Sequence, residues 1–345
     1  MTTNTISGNN GTQVEHITLT NSKGMEVEIL TLGGVIKSIK TPDKEGKLEN
    51  ILIEYEDINT YIETPGYVNA LIGRTAGRIH KAEFTINDID YKVEKNDGNN
   101  ALHGGIKALH QKIWGFKDVS GEDLSAVELS CFSPDGEEGY PGNLEVKVIY
   151  SLDNDNVFTI EYEAISDKDT LINLTHHAYF NLSGDSKRTM EDQELMINAG
   201  HVCELDAENI VTGELLPVSE HTPFDFTTPK AVGKDIGQDH EQLNCRQGYD
   251  HPWVLNQGQE AVTLYDAISG RHMEISTDQK TVVVYTMNSG HPFKFTNGKE
   301  NIMRYGITFE TQNYPIGHNQ CFKNDNVILA NEKYTQKTSF KFSTK

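Results

Sequence analysis

The chain has 345 residues, with 51 acids against 30 bases and a formal charge of −21, a balance that repels nucleic-acid backbones and anionic lipid and favours uncharged or cationic soluble ligands. No apolar run approaches the roughly 20 residues of a membrane helix, and the polar N-terminus lacks the basic and apolar blocks of a secretory signal. Four scattered cysteines, Cys131, Cys203, Cys245 and Cys321, make no CxxC pair and no disulfide framework, so the expectation is a cytoplasmic protein, monomer or homodimer, with reduced thiols.

From the N-terminus onward, apolar and polar residues alternate with a period of two, first at Val27/Ile29, the pattern of a half-buried strand. The turn cluster PDKEG follows, and then YEDINTYIET, which reads as a short helix. In NALIGRTAGRIHKAEF, small residues surround Arg74 and Arg78 in a stretch too glycine-rich for a stable helix. An arginine there either pairs with the acidic surface or donates to ligand oxygens. In NDGNNALHGG, His103 follows a turn and precedes two glycines, which let the backbone approach a ligand closely. The SPDGEEGYPGN turn carries the adjacent acids Glu137 and Glu138. Strand alternation then resumes at Leu144/Val146/Val148/Tyr150 and, past SLDNDN, at Phe158/Ile160/Tyr162.

NLTHHAYFNL, residues 173–182, places two histidines side by side in a strand-like segment. Successive strand side chains point to opposite faces, so His176 joins Ala178, Phe180 and Leu182. His177 joins Thr175, Tyr179 and Asn181. The first is expected in the core and the second on a polar face, which makes His177 the candidate. Adjacent strand residues do not converge on one ion, so the pair is not expected to bind metal. KAVGKDIG reads as a second short helix. GYDHPWVLN sets Asp250 and His251 at a turn near Trp253, an acidic acceptor beside an aromatic face that suits a sugar. After the MNSGHP turn, GITFETQNYP puts Ile307 and Phe309 on a core face and Thr308, Glu310 and Gln312 on the other. Glu310 is either a base held by polar neighbours or an ordinary exposed strand residue.

The expected fold is all-β: one large antiparallel β-sandwich over residues 1–345, with few short helices. GxGxxG after a strand, GxxxxGK[ST], GxSxG and HExxH are all missing, which removes the usual support for nucleotide, serine-hydrolase and zinc-protease chemistry. Cofactor-free acid/base chemistry is the remaining class.

Taken in order, NALIGRTAGRI, NDGNNALHGG, SPDGEEGYPGNL, NLTHHAYFNLSG, TPFDFTTPKAVGKDIG, GYDHPWVLN and GITFETQNYP make the sequence similar to the aldose 1-epimerase (galactose mutarotase) family from about residue 25 to the C-terminus. The resemblance implies the mutarotase-like supersandwich with a sugar cleft on its concave side. It also implies interconversion of the α and β anomers of free aldohexoses, such as galactose and glucose, without a cofactor or metal. By the same resemblance Glu310 matches the general base on the C1 hydroxyl, and His177 matches the acid on the ring oxygen. His103 matches a second, catalytic histidine that hydrogen-bonds the sugar and assists at the ring oxygen or a neighbouring hydroxyl, and Arg78 and Asp250 match substrate-binding positions. In the resting state Glu310 is then expected ionised and His177 protonated. Three departures bear on sugar preference: Gly77 where many members have Asn, YPIGHNQCF after the Glu310 strand, and Val283 or Val284 where some relatives have glutamine. The competing readings are a hexose-phosphate epimerase of the same fold, a non-catalytic sugar-binding or regulatory module, and a glycosidase or lyase using Glu137 and Glu138. Those two acids are expected to form a turn lip around the cleft.

Overall fold

A computed structural model of the chain describes all residues except 64–65, 220–222, 257–259 and 291–292. Thr64 at the end of the first expected helix, Thr222 at the start of TPFDF, and His291 and Pro292 of the MNSGHP turn therefore lie outside the described residues.

The described residues are organised by antiparallel ladders. A meander of five strands, Thr2–Ser7, Gln13–Thr20, Glu26–Leu30, Ile36–Pro42 and Leu48–Asn50, forms one sheet. A nine-stranded sheet is centred on Val157–Ser166, Lys333–Thr344 and Arg271–Thr277, whose neighbours include Leu124–Ser133 and Leu144–Asp153. A six-stranded sheet runs in the order Tyr179–Phe180, Ile307–Gln312, Thr281–Tyr285, Asp250–Leu255, Ala199–Leu205 and Val211–Pro217. The only α-helices among the described residues are Ile58–Glu63 and Glu241–Asn244, and the expected second helix at KAVGKDIG is a single 3-10 turn, Val232–Lys234. No helix among the described residues is long and apolar enough to cross a membrane.

The period-two pattern explains the layers. Leu144, Val146, Val148 and Tyr150 are buried while Glu145 and Lys147 between them are exposed. Each such apolar side chain contributes about 1.5–3 kcal/mol when fully withdrawn from water. Phe340 from the nine-stranded sheet meets Phe180 from the six-stranded sheet with ring centroids 5.5 Å apart. One continuous core runs from Ile17, Val27 and Ile39 of the meander through Trp253 and Phe309 to Phe342. The six-stranded sheet gives Val282, Val284, Trp253 and Phe309 to this core, and its other face floors a cleft.

Candidate active site

The cleft has a volume of about 480 Å³, within the usual range for small-molecule sites of about 300–1,000 Å³. Its floor follows from strand register. Val283 pairs with Glu310 on one side and Pro252 on the other, and Tyr285 pairs with Thr308 and Asp250. Alternation therefore lifts Glu310, Val283, Tyr285 and Asp250 to the cleft face. It sends Val284 to the core, so Val283 is the residue that faces the ligand space.

Glu310 is only 3% exposed, which excludes the ordinary surface-strand reading. Thr308 Oγ1 donates to Glu310 Oε1 at 3.1 Å, and His177 Nε2 lies 3.4 Å from the same oxygen. Burial, reinforced by the negative charge of Asp250, pushes the Glu310 carboxyl up to about 8, against the opposing pull of the Thr308 hydroxyl and the Arg78 guanidinium. This corrects the expectation of an ionised Glu310 at rest: removing a carboxylate from water favours its neutral form more than its partners favour the charge.

His177 arrives by a less regular route than one straight strand. Thr175–His176 pairs with Leu71–Ile72, and Tyr179–Phe180 pairs with the Glu310 strand. His177 at the junction donates its backbone N–H to Ala70 O and accepts from Asn69 N–H. The facial assignment holds for His176, which is buried with Nε2 3.2 Å from Gly34 O and its ring against Tyr150, and for His177, which lines the cleft. It fails for Thr175 and Asn181, which are fully buried and bond backbone carbonyls elsewhere.

His103 sits at φ +54 and is locked to Gly77 twice: its N–H donates to Gly77 O, and Gly77 N–H donates to its Nδ1 at 3.2 Å. That bond assigns the ring proton to Nε2. Burial holds the ring well below the usual imidazole range, so His103 is a neutral N–H donor. His103, His177 and Glu310 offer ligand atoms within 4.8 Å of one another, a donor set divalent metals accept. The occupied Nδ1 of His103 leaves that ring an N–H at Nε2 rather than a ligand lone pair, which does not fit metal ligation.

Arg78 and Asp250 both line the cleft. Arg78 Nε donates to Asp97 Oδ2 at 2.6 Å. Asp250 opens a strand rather than lying in a turn, and Asn209 Nδ2 donates to its Oδ2 at 2.7 Å. Gly77 lies at φ +72, and a Cβ there would sit 3.2 Å from Pro315 Cβ. Two departures from the family pattern thus meet at one cleft edge.

Several expectations are corrected. Trp253 is fully buried and donates to Phe224 O; the cleft aromatics are Tyr67, Tyr179 and Tyr285. Arg74 reaches neither the surface nor a ligand, because its guanidinium is spent on the carbonyls of Ser133, Pro134, Pro141 and Gly142. Glu137 and Glu138 do not rim the cleft. Glu137 pairs with Lys112, and Glu138 accepts from the amides of Ile106 and Lys107, which pins the loop behind His103. Sequence reasoning missed Tyr67, packed edge-on to His103 at 4.7 Å, and Arg246 and Asn209, which come from irregular segments where periodicity carries no signal. Gln312 was on the right face and lines the cleft with Oε1 buried and unpartnered.

The aldose 1-epimerase family model matches residues 15–341. Galactose mutarotase of Bos taurus is 34% identical over 93% of this chain and 92% of its own length. Aldose 1-epimerase of Haemophilus influenzae is 33% identical over 98% of each. The crystal structure of galactose 1-epimerase from Lactobacillus acidophilus superposes with a TM-score of 0.89 at 28% identity, covering 100% of this chain and 99% of that one. With the family pattern matched almost end to end, and its residues gathered in one cleft of the expected β-sandwich, the chain belongs to the aldose 1-epimerase family.

Proposed function

We propose that the protein interconverts the α and β anomers of a free aldohexose, with Glu310 and His177 exchanging the two protons. The observation that carries this reading is the 3.4 Å between Glu310 Oε1 and His177 Nε2. A base and an acid that close cannot serve two distant atoms, but they suit two oxygens bonded to one carbon, the C1 hydroxyl and ring oxygen of a hemiacetal. Once a proton has crossed from Glu310 to His177, the carboxylate takes the C1 hydroxyl proton and the imidazolium protonates the ring oxygen. The C1–O5 bond breaks, and the open-chain aldehyde forms. Rotation about C1–C2 presents the other carbonyl face, and the ring recloses with the protons returned. Each transfer group contributes about two to four powers of ten. His103 Nε2–H donates to a sugar oxygen, and Arg78, fixed by Asp97, donates to a hydroxyl. The two anomers are nearly equal in energy, so no energy source is needed.

The orphaned Oε1 of Gln312 supports a polyhydroxylated ligand, since a buried acceptor needs a donor. A phosphorylated substrate fits less well, because each cleft arginine stands beside a carboxylate, Arg78 with Asp97 and Arg246 with Asp250, leaving no surplus cation for a dianion. The continuous core supports reading residues 1–345 as a single domain, and four unpaired cysteines support residence in a reducing cytoplasm. Polarimetry of freshly dissolved α-D-galactose and α-D-glucose tests the activity. Accelerated decay of rotation, lost in Glu310→Ala and His177→Ala, is expected. Sugar binding without acceleration would instead favour a non-catalytic module.

A further inference from the structure

The acid/base pair occupies one part of the cleft, and a second set of polar groups stands around Asp250. Strands Asp250–Leu255 and Ile307–Gln312 flank Thr281–Tyr285 on opposite sides, so Asp250 and Glu310 are two strand spacings, about 10 Å, apart laterally. Asn209 Nδ2 holds Asp250 Oδ2 at 2.7 Å. Arg246 Nε lies 3.7 Å from the same oxygen, beyond hydrogen-bond length. Two buried atoms are left over: Arg246 Nε and Asn209 Oδ1 have no hydrogen-bond partner. Both residues line the cleft.

The backbone that carries Arg246 is fixed in place, and its side chain is 27% exposed. Its N–H donates to Leu243 O at the end of the Glu241–Asn244 turn. The next carbonyl, Gln247 O, accepts from Arg304, which also bonds Asn288 and Thr286. Gly248 follows at φ +147, where a Cβ would sit 2.4 Å from Arg304 Nη1, so the loop backbone is pressed onto that arginine.

A buried donor and a buried acceptor left unpaired around one carboxylate call for a ligand group that both accepts and donates. A hydroxyl does both, and two adjacent hydroxyls satisfy all three side chains. If Glu310 and His177 address the C1 hydroxyl and ring oxygen, the opposite edge of a pyranose is C3–C4. We propose that Arg246, with Asn209 and Asp250, clamps the C3 and C4 hydroxyls and is a specificity-determining residue of the cleft. This inference rests on the epimerase reading above for the direction of the sugar. Since galactose and glucose differ at C4, the clamp sets the preference between them.

The test is a cycle between protein and sugar. Wild type and Arg246→Gln are compared on D-galactose and its 2-, 3- and 4-deoxy derivatives, with KM and kcat from polarimetry, affinity from calorimetry, and melting curves to verify folding. Losing a bond to a charged donor is expected to cost about ten- to a hundredfold. On galactose, Arg246→Gln should lose that factor mainly in KM and affinity. The wild-type penalty for the 3- or 4-deoxy sugar should shrink by that same factor in the variant, because both changes delete the Arg246 bond while those of Asn209 and Asp250 remain. The 2-deoxy penalty should be equal in both proteins. The clamp is overturned if Arg246→Gln binds galactose as wild type does, or if its effect multiplies with those of the 3- and 4-deoxy sugars. Wild type that binds galactose without turnover sinks the epimerase reading alone, since the affinity cycle still decides the clamp. Wild type that binds no aldose sinks both.

Discussion

Glu310→Gln should inactivate the protein and stabilise it, with a stability gain that grows with pH. The Glu310 carboxyl is raised from 4.5 to about 8 by burial first and by Asp250 second. A raised carboxyl favours the folded state fully below its unfolded value of about 4.5, and that contribution is lost as pH rises through 8. Glutamine has nearly the same shape and does not titrate, so it escapes the loss. At about 1.4 kcal/mol per unit, the variant gains roughly 1 kcal/mol at pH 5, about 3 at pH 7 and about 5 at pH 9. With an unfolding entropy of about 2.1 cal/mol/K per residue, these become melting-point gains of about 1, 4 and 7 °C. Thermal unfolding of wild type and variant at the three pH values measures the differences, and polarimetry should show a rate loss of two to four powers of ten. A gain that is the same at pH 5 and pH 9 would refute the reasoning, because a pH-independent term does not come from a titrating carboxyl.

Asp250→Asn should raise KM and move the basic limb of kcat/KM to lower pH, since the Glu310–His177 pair must hold one proton to work and Asp250 is a cause of the high Glu310 value; an unmoved limb would separate the two groups. Trp253→Phe should lower the melting temperature, through the lost bond to Phe224 O, while leaving KM for galactose within about twofold; a large KM effect would restore Trp253 as a sugar platform. Gly105→Ala should reduce kcat several-fold, because at φ +111 its Cβ would meet Glu138 Oε2 at 2.2 Å and displace the loop carrying His103. A crystal structure of that variant with His103 unmoved and activity lost would contradict this route.

Local pattern in the sequence was enough for the all-β class, because strand alternation writes the core face directly: Ile307 and Phe309 inward, Glu310 and Gln312 outward. It was enough to separate His176 from His177, since neighbouring strand residues diverge whatever they pack against. It was not enough to say where a polar face points. Arg74 and Arg78 share one glycine-rich segment, yet Arg74 is consumed by four turn carbonyls and Arg78 reaches the cleft. Trp253 and Asp250 lie three residues apart on one strand and therefore on opposite faces, a consequence of register that the turn reading of GYDHP hid. The ionisation of Glu310 was likewise undecidable from its neighbours in sequence, because it depends on burial and on Asp250 two strands away. What the chain encodes locally is which side chains alternate; which of them meet, and in what charge state, is decided by long-range pairing and the water it excludes.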